Sequence, residues 1–348
     1  MLGSRIIKHS RYWWLIALVG AAVWGASCTR IERSPAGQPA VDRVWPEPPE
    51  PARIAFAKSI FRPADLGIKR SGFTRLGQWL TGSEKGNEPL VKPFGIALDE
   101  NDNLCLTDTG ANAVCFYDAA RKKWSRWDRI GKLRFASPVG VAKRNGIFYV
   151  ADSTLGSLVA FTDTGKLVFQ VTNHLARPTG VTIAQGKLFV ADSQRHCVVS
   201  FALNGEYLGE FGKRGIKPGE FNFPTHINAD ATGRLMVTDS MNSRVQVLDA
   251  NGTCLLAFGQ VGDSPGSFSR PKGVAGDSIG NYYVVDSMFD NVQIFNAAGR
   301  LLLAFGSAGS AAGEFWLPNG IAIDRKNQIY VADSYNRRIQ VFNYVGPL

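Results

Sequence analysis

Histidine is the side chain best suited to acid–base or ligand chemistry near neutral pH. Beyond its first twenty residues this chain has three, His174, His196 and His226. A catalytic zinc site takes three protein ligands, so the first question is whether these three can meet. Carboxylates recur as well: Asp108, Asp152, Asp192, Asp239, Asp286 and Asp333 are each followed by Ser or Thr. Such a step either clusters carboxylates or stabilises turns, because both side chains bond nearby backbone groups. Cys105 and Cys115 lie symmetrically about Gly110 and could face each other across a hairpin as a disulfide. Arg121-Lys122-Lys123-Trp124-Ser125-Arg126-Trp127 is the densest basic stretch. It suits either a phosphate backbone or a solvated outer strand. No Ser-His-Asp spacing, phosphate-binding glycine loop, Cys-x-x-Cys or haem-attachment motif is present.

The elements that must position these residues follow from a repeat. Each of the six aspartates comes 14 or 15 residues after a proline. Five of those prolines open a Pro-x-Gly step, at Pro93, Pro138, Pro178, Pro271 and Pro318. The sixth is Pro224-Thr225-His226, with histidine in the glycine slot. Successive prolines are 45, 40, 46, 47 and 47 residues apart. A period in this range marks propellers and solenoids. The alternation in Ile329-Tyr330-Val331-Ala332 and Ile339-Gln340-Val341-Phe342 has a period of two, which specifies strands rather than helices. The 37 glycines supply many tight turns. An all-β, six-bladed β-propeller with four-stranded antiparallel blades is therefore expected over residues 53–348.

The last copy ends with three strands and no fourth, and an open blade would leave an unpaired edge. Arg53-Ile54-Ala55-Phe56-Ala57-Lys58-Ser59-Ile60 is a strand-like run left over before the first copy. It is expected to pair with Arg338–Tyr344 and close the ring. Gly72 to Gly82 is expected to form a short helix against the ring.

These units resemble the NHL repeat. The copy from Leu317 to Asn343 matches its pattern of Pro, Gly, a strand, Val-Ala-Asp-Ser, Asn, Arg and a final apolar strand. The turn departs most: where two copies have Asn242 and Asn336, the others have Ala111, Leu155, Arg195 and Phe289.

The N-terminus reads as a targeting segment. Arg5, Lys8 and Arg11 precede an apolar run from Trp13 to Ala26, too short to span a bilayer comfortably. Gly25-Ala26-Ser27-Cys28 resembles the lipobox of bacterial lipoproteins, with Gly25 where that family has an aliphatic residue. The resemblance implies cleavage after residue 27 and acylation of Cys28; the alternative is a plain cleaved signal peptide with an unmodified cysteine. Removing residues 1–27 lowers the formal net charge from +10 to +7. Residues 28–52 are dense in proline and read as an extended tether. An exported lipoprotein on the periplasmic face of the outer membrane is the expectation, monomeric and with no nucleic-acid partner.

Departures from the repeat are the candidate site residues, because symmetry does not demand them. His226 is either a loop histidine held by hydrogen bonds or a ligand contact at one mouth of the channel. Arg195, His196, Phe289 and Asp290 fall on turns with Asn242, Arg244 and Asn336, where loops on a rigid scaffold carry binding residues. The three histidines differ in their offsets from the repeat proline, so no shared metal and no cofactor is expected. The expected function is a non-catalytic scaffold for a protein or glycan partner in the cell envelope. The alternative is a metal-dependent lyase or hydrolase with an ion in the central channel.

Overall fold

The computed structural model describes residues 43–68 and 86–346. Cys28, the leader and the helix expected at 72–82 lie outside them. The described residues form six blades around a channel. Blade 1 runs outward through Pro93–Leu98, Leu104–Asp108, Ala113–Asp118 and Lys123–Trp127. The innermost strands of blades 2 to 5 are Pro138–Arg144, Pro178–Ala184, Pro224–Ala229 and Pro271–Gly276. Each is followed by three more antiparallel strands in chain order.

Blade 6 is built from Ile321–Ile323, Gln328–Asp333 and Arg338–Tyr344, and its outer strand is Ile54–Ile60. Ile54 pairs with Tyr344 and Ile60 with Ile339, with a bulge at Phe56/Lys58. The ring is thus closed by joining the two ends of the described chain, as the leftover strand requires.

A further short strand, Val44–Trp45, pairs with Ile54 and Ala55. The Trp45 ring meets Phe305 and Phe342 at centroid distances of 5.7 and 5.8 Å. Arg43 Nη1 donates to the Ala312 carbonyl and to Glu314. So the end of the proline-rich segment lies against the ring, because its one large aromatic finds an apolar cleft there.

The core sits between blades. Phe258, Phe268, Tyr282 and Phe295 fill one such layer and Phe305, Phe315 and Phe342 the next. Burying each such ring contributes about 2–3 kcal/mol. At the hub, the innermost strands come too close for side chains in the Pro-x-Gly slot. A Cβ on Gly95 would lie 2.3 Å from the Val139 carbonyl oxygen, and one on Gly320 2.3 Å from that of Phe94. Blade 4 alone has room there, for His226.

Cys105 and Cys115 are free thiols. Cys105 pairs with Phe116 and Cys115 with Leu106. They are one register step apart, so their side chains emerge on opposite faces of blade 1 and enter different core layers. The disulfide that their spacing suggested is thereby excluded. Burial pushes both thiols up, far from thiolate character. The basic stretch is the outer strand of blade 1; Trp124 and Trp127 turn into the two flanking cores, and Arg121 pairs with Asp118.

Candidate functional site

The six repeat aspartates hold the loops that form one face of the ring. In four blades the carboxylate accepts the backbone N–H of the two residues before the repeat proline. Asp108 takes Val91 and Lys92, Asp152 takes Ala136 and Ser137, Asp192 takes Ala176 and Arg177, and Asp286 takes Ser269 and Arg270. Each also accepts from two N–H groups of its own turn, as Asp192 does from Gln194 and Arg195. These carboxylates are architectural, and their consequence is to fix which residues surround the channel mouth.

Blades 4 and 6 use a second arrangement. Asp239 and Asp333 take only the earlier N–H, from Asn222 and Trp316. Their remaining capacity is filled by side chains: Asn242, Arg244 and Gln246 bond Asp239, and Asn336, Arg338 and Gln340 bond Asp333. The freed N–H groups turn to the previous blade. Phe223 N–H donates to His196 Nδ1 at 3.1 Å, and Leu317 N–H donates to Asp290 at 2.7 Å. Both donors have left-handed backbone, φ 53° and 47°, costly for bulky residues unless held in this way.

Most sequence-nominated residues are therefore committed within the fold. Asn242 and Asn336 also bond the Gly215 and Gly309 carbonyls, and Arg244 reaches the carbonyls of Ile216, Lys217 and Glu220. Arg195 pairs with Glu210 at 2.8 Å and bonds the His174 carbonyl. His174 stacks on Tyr207. Phe289 donates its N–H to Asp286. Among the described residues, no three His, Cys, Asp or Glu side chains come close enough to share a metal ion.

His226 is different. It lines both cavities of the channel, and the Phe94 ring from the opposite blade lies over it at 6.3 Å and 26°. Its Nδ1 is buried and meets no protein partner, as does Thr225 Oγ1 beside it. Burial, with the charge of Lys272 adding to it, lowers the imidazole to about 4, so it is neutral at physiological pH.

The two cavities differ in charge. The one of about 500 Å³ contains both signs, and its acids are engaged. Asp99 pairs with Lys143 at 2.7 Å, Asp230 with Arg234 at 2.6 Å, and Glu100 accepts the Asn145 N–H.

The cavity of about 690 Å³ opens on the proline face and is lined by Lys92, Arg177, Arg270 and Lys272. None of the described residues lining it is Asp or Glu. Arg177 and Arg270 are exposed at its rim, while Lys272 sits deeper, above His226. No side-chain hydrogen bond or ion pair engages Arg177, Arg270 or Lys272 among the described residues. Burial and the nearby Arg270 and Arg177 lower the Lys272 amine to about 8.

Sequence reading by turn residues missed this mouth. Its signal lies in the positions flanking the repeat proline. Before it stand Lys92, Ser137, Arg177, Phe223, Arg270 and Leu317; after it stand Phe94, Val139, Thr179, Thr225, Lys272 and Asn319. The chemistry at these twelve positions varies from blade to blade while the proline between them is constant, and ten of them line the mouth.

The fold and this mouth define a six-bladed β-propeller with a cationic opening at one end of its channel. The NHL repeat model matches residues 175–201 and 315–342, so blades 3 and 6 carry NHL repeats. No curated protein matches the chain. Among solved structures, a streptogramin B lyase is 13% identical with a TM-score of 0.55, covering 74% of this chain and 95% of its own. The virginiamycin B lyase of Staphylococcus aureus is 14% identical with a TM-score of 0.57, covering 76% and 86%. An auxiliary nutrient binding protein of Bacteroides ovatus is 16% identical with a TM-score of 0.55, covering 73% and 69%. At these identities the likeness is one of fold.

Proposed function

We propose that this chain is an envelope-anchored binding propeller that holds a protein or glycan partner on its proline face. The observation that carries this reading is the mouth with four cations and no carboxylate. Lys272 is withdrawn from solvent without a counter-charge, which costs free energy, so the mouth is better matched to an anionic ligand than to empty solvent. Around it the same face exposes Phe223, Met241, Met288, Trp316 and Tyr335. Clustered exposed apolar groups of this kind mark interaction surfaces. In this reading residues 1–27 are a cleaved leader, acylated Cys28 anchors the chain, and residues 28–52 are the tether. No described helix is long and apolar enough to cross a membrane.

The test is a pull-down from envelope extract with the immobilised propeller. A partner retained by the native protein and lost from the Arg177→Gln/Arg270→Gln variant supports the reading. Equal retention by both sinks it. The lyase or hydrolase alternative rests on His226, whose Nδ1 faces no protein partner at the waist of the channel. A stoichiometric metal ion in purified protein, lost in His226→Ala, is the result that favours it.

A further inference from the structure

We infer that the proline-face mouth receives the carboxylates of an acidic saccharide, seated among Arg177, Arg270 and Lys272 with its sugar rings against the aromatic rim. This rests on the reading of that face as the binding surface.

Three features select the ligand class. First, three cations without an acidic partner call for a ligand with at least two negative charges. Arginine's planar fork matches a carboxylate in a bidentate manner, and here two forks stand at the rim with one ammonium below. A saccharide with one carboxylate per ring carries two or more such charges along a single ligand.

Second, the cavity also offers hydroxyls. Among the described residues, Ser137 and Ser153 line it with no side-chain bonding of their own, and Thr225 Oγ1 is buried without a protein partner. Polar groups placed singly around a pocket fix ligand orientation. A simple inorganic anion needs no such ring.

Third, the rim is aromatic and continuous with the mouth. Lys92 Nζ lies 4.6 Å from the centre of the Tyr335 ring, and Tyr335 packs on Trp316 at 5.5 Å. Trp316 is 54% exposed, and Phe223, also exposed, lines the mouth. Exposed flat rings beside hydrogen-bonding groups suit the apolar faces of sugars. A nucleic-acid strand, by contrast, needs cations along an extended stripe, whereas these converge inside one mouth.

The charge state of Lys272 supports the assignment. It faces Arg270 on its own blade, Arg177 from blade 3 and His226 from blade 4. The repeat carboxylates of these three blades are engaged: Asp192 and Asp286 accept backbone N–H groups, and Asp239 accepts from Asn222, Asn242 and Arg244. A bound carboxylate would therefore raise the amine back toward its ordinary range, and affinity should fall as pH rises above about 8.

The experiment is titration calorimetry at pH 7 and low salt with trigalacturonic acid, the neutral galactose trimer of the same linkage, and citrate. Binding of the acidic trimer, at least tenfold weaker for Arg177→Gln/Arg270→Gln and several-fold weaker for Trp316→Ala, with no binding of the neutral trimer, bears the inference out. Equal binding of both trimers overturns the carboxylate assignment. Citrate binding as tightly as the acidic trimer, unaffected by Trp316→Ala, overturns the saccharide assignment. No binding of the acidic trimer overturns both. If an envelope partner is still captured through Arg177 and Arg270, the broader reading stands without this one.

Discussion

The Phe94 ring lies over the His226 imidazole with centroids 6.3 Å apart, joining blade 1 to blade 4 across the hub. This contact sits where the two cavities meet. It separates a compartment of mixed charge from a cationic one, and it exists because blade 4 has a side chain where every other blade has glycine.

His226 should make the protein acid-sensitive. Its folded value of about 4 lies below the unfolded value near 6.5, so the unfolded chain binds more protons between them. Stability should fall as pH drops through that window, by at most about 3 kcal/mol from this group. Urea melts of His226→Gln at pH 7 and pH 4 should show a smaller drop than the native protein.

Lys272 should cost stability in the unliganded protein. Its folded value of about 8 lies below the ordinary 10.5, so the native protein gains stability as pH rises between the two. Lys272→Met should raise the unfolding free energy at pH 7 by up to about 3 kcal/mol, seen as a higher midpoint, and remove the alkaline gain. A lower midpoint at pH 7 would show that the amine is compensated.

Two clamping aspartates should behave alike in stability and differently in binding. Asp192→Asn and Asp152→Asn each turn an amide donor toward backbone N–H groups, at a cost of about 2 kcal/mol. Only Asp192 holds the backbone of a mouth cation, Arg177, whereas Asp152 holds Ser137. A larger loss of partner capture in the first than in the second, at matched stability, is the expected pattern.

The buried Lys143–Asp99 pair should be strongly structural. Both side chains are nearly inaccessible, 7% and 0% exposed. Burial pushes the Asp99 carboxyl up, but bonds from Lys143 and Asn103 more than offset it, so it stays charged. Lys143→Met leaves that charge unpaired and should cost about 3–5 kcal/mol. Denaturant unfolding of the single variant measures it.

Ring closure can be tested by deleting residues up to Ile60. Loss of Ile54–Ile60 exposes the edge at Arg338–Tyr344 and should lower the melting temperature sharply. Trp45→Ala, which removes only the ring packed on Phe305 and Phe342, should cost about 2 kcal/mol, less than a fully buried aromatic.

The sequence by itself determined the number of blades, the strand order within each and the strand that closes the ring. These are local periodicities and a count of unpaired edges, both legible along the chain. It also marked His226 as off-pattern and the six aspartates as part of the repeat. Only the tertiary structure decided what surrounds the channel. Lys92, Arg177, Arg270 and Lys272 are up to 180 residues apart in sequence and look like ordinary basic residues in one dimension. They meet because each blade presents the residues beside its proline to a common axis. His196 and Asp290 show the converse: they looked like binding residues because they break the turn pattern. In three dimensions each holds a left-handed N–H of the next blade, a bond that only stacking one repeat on another creates.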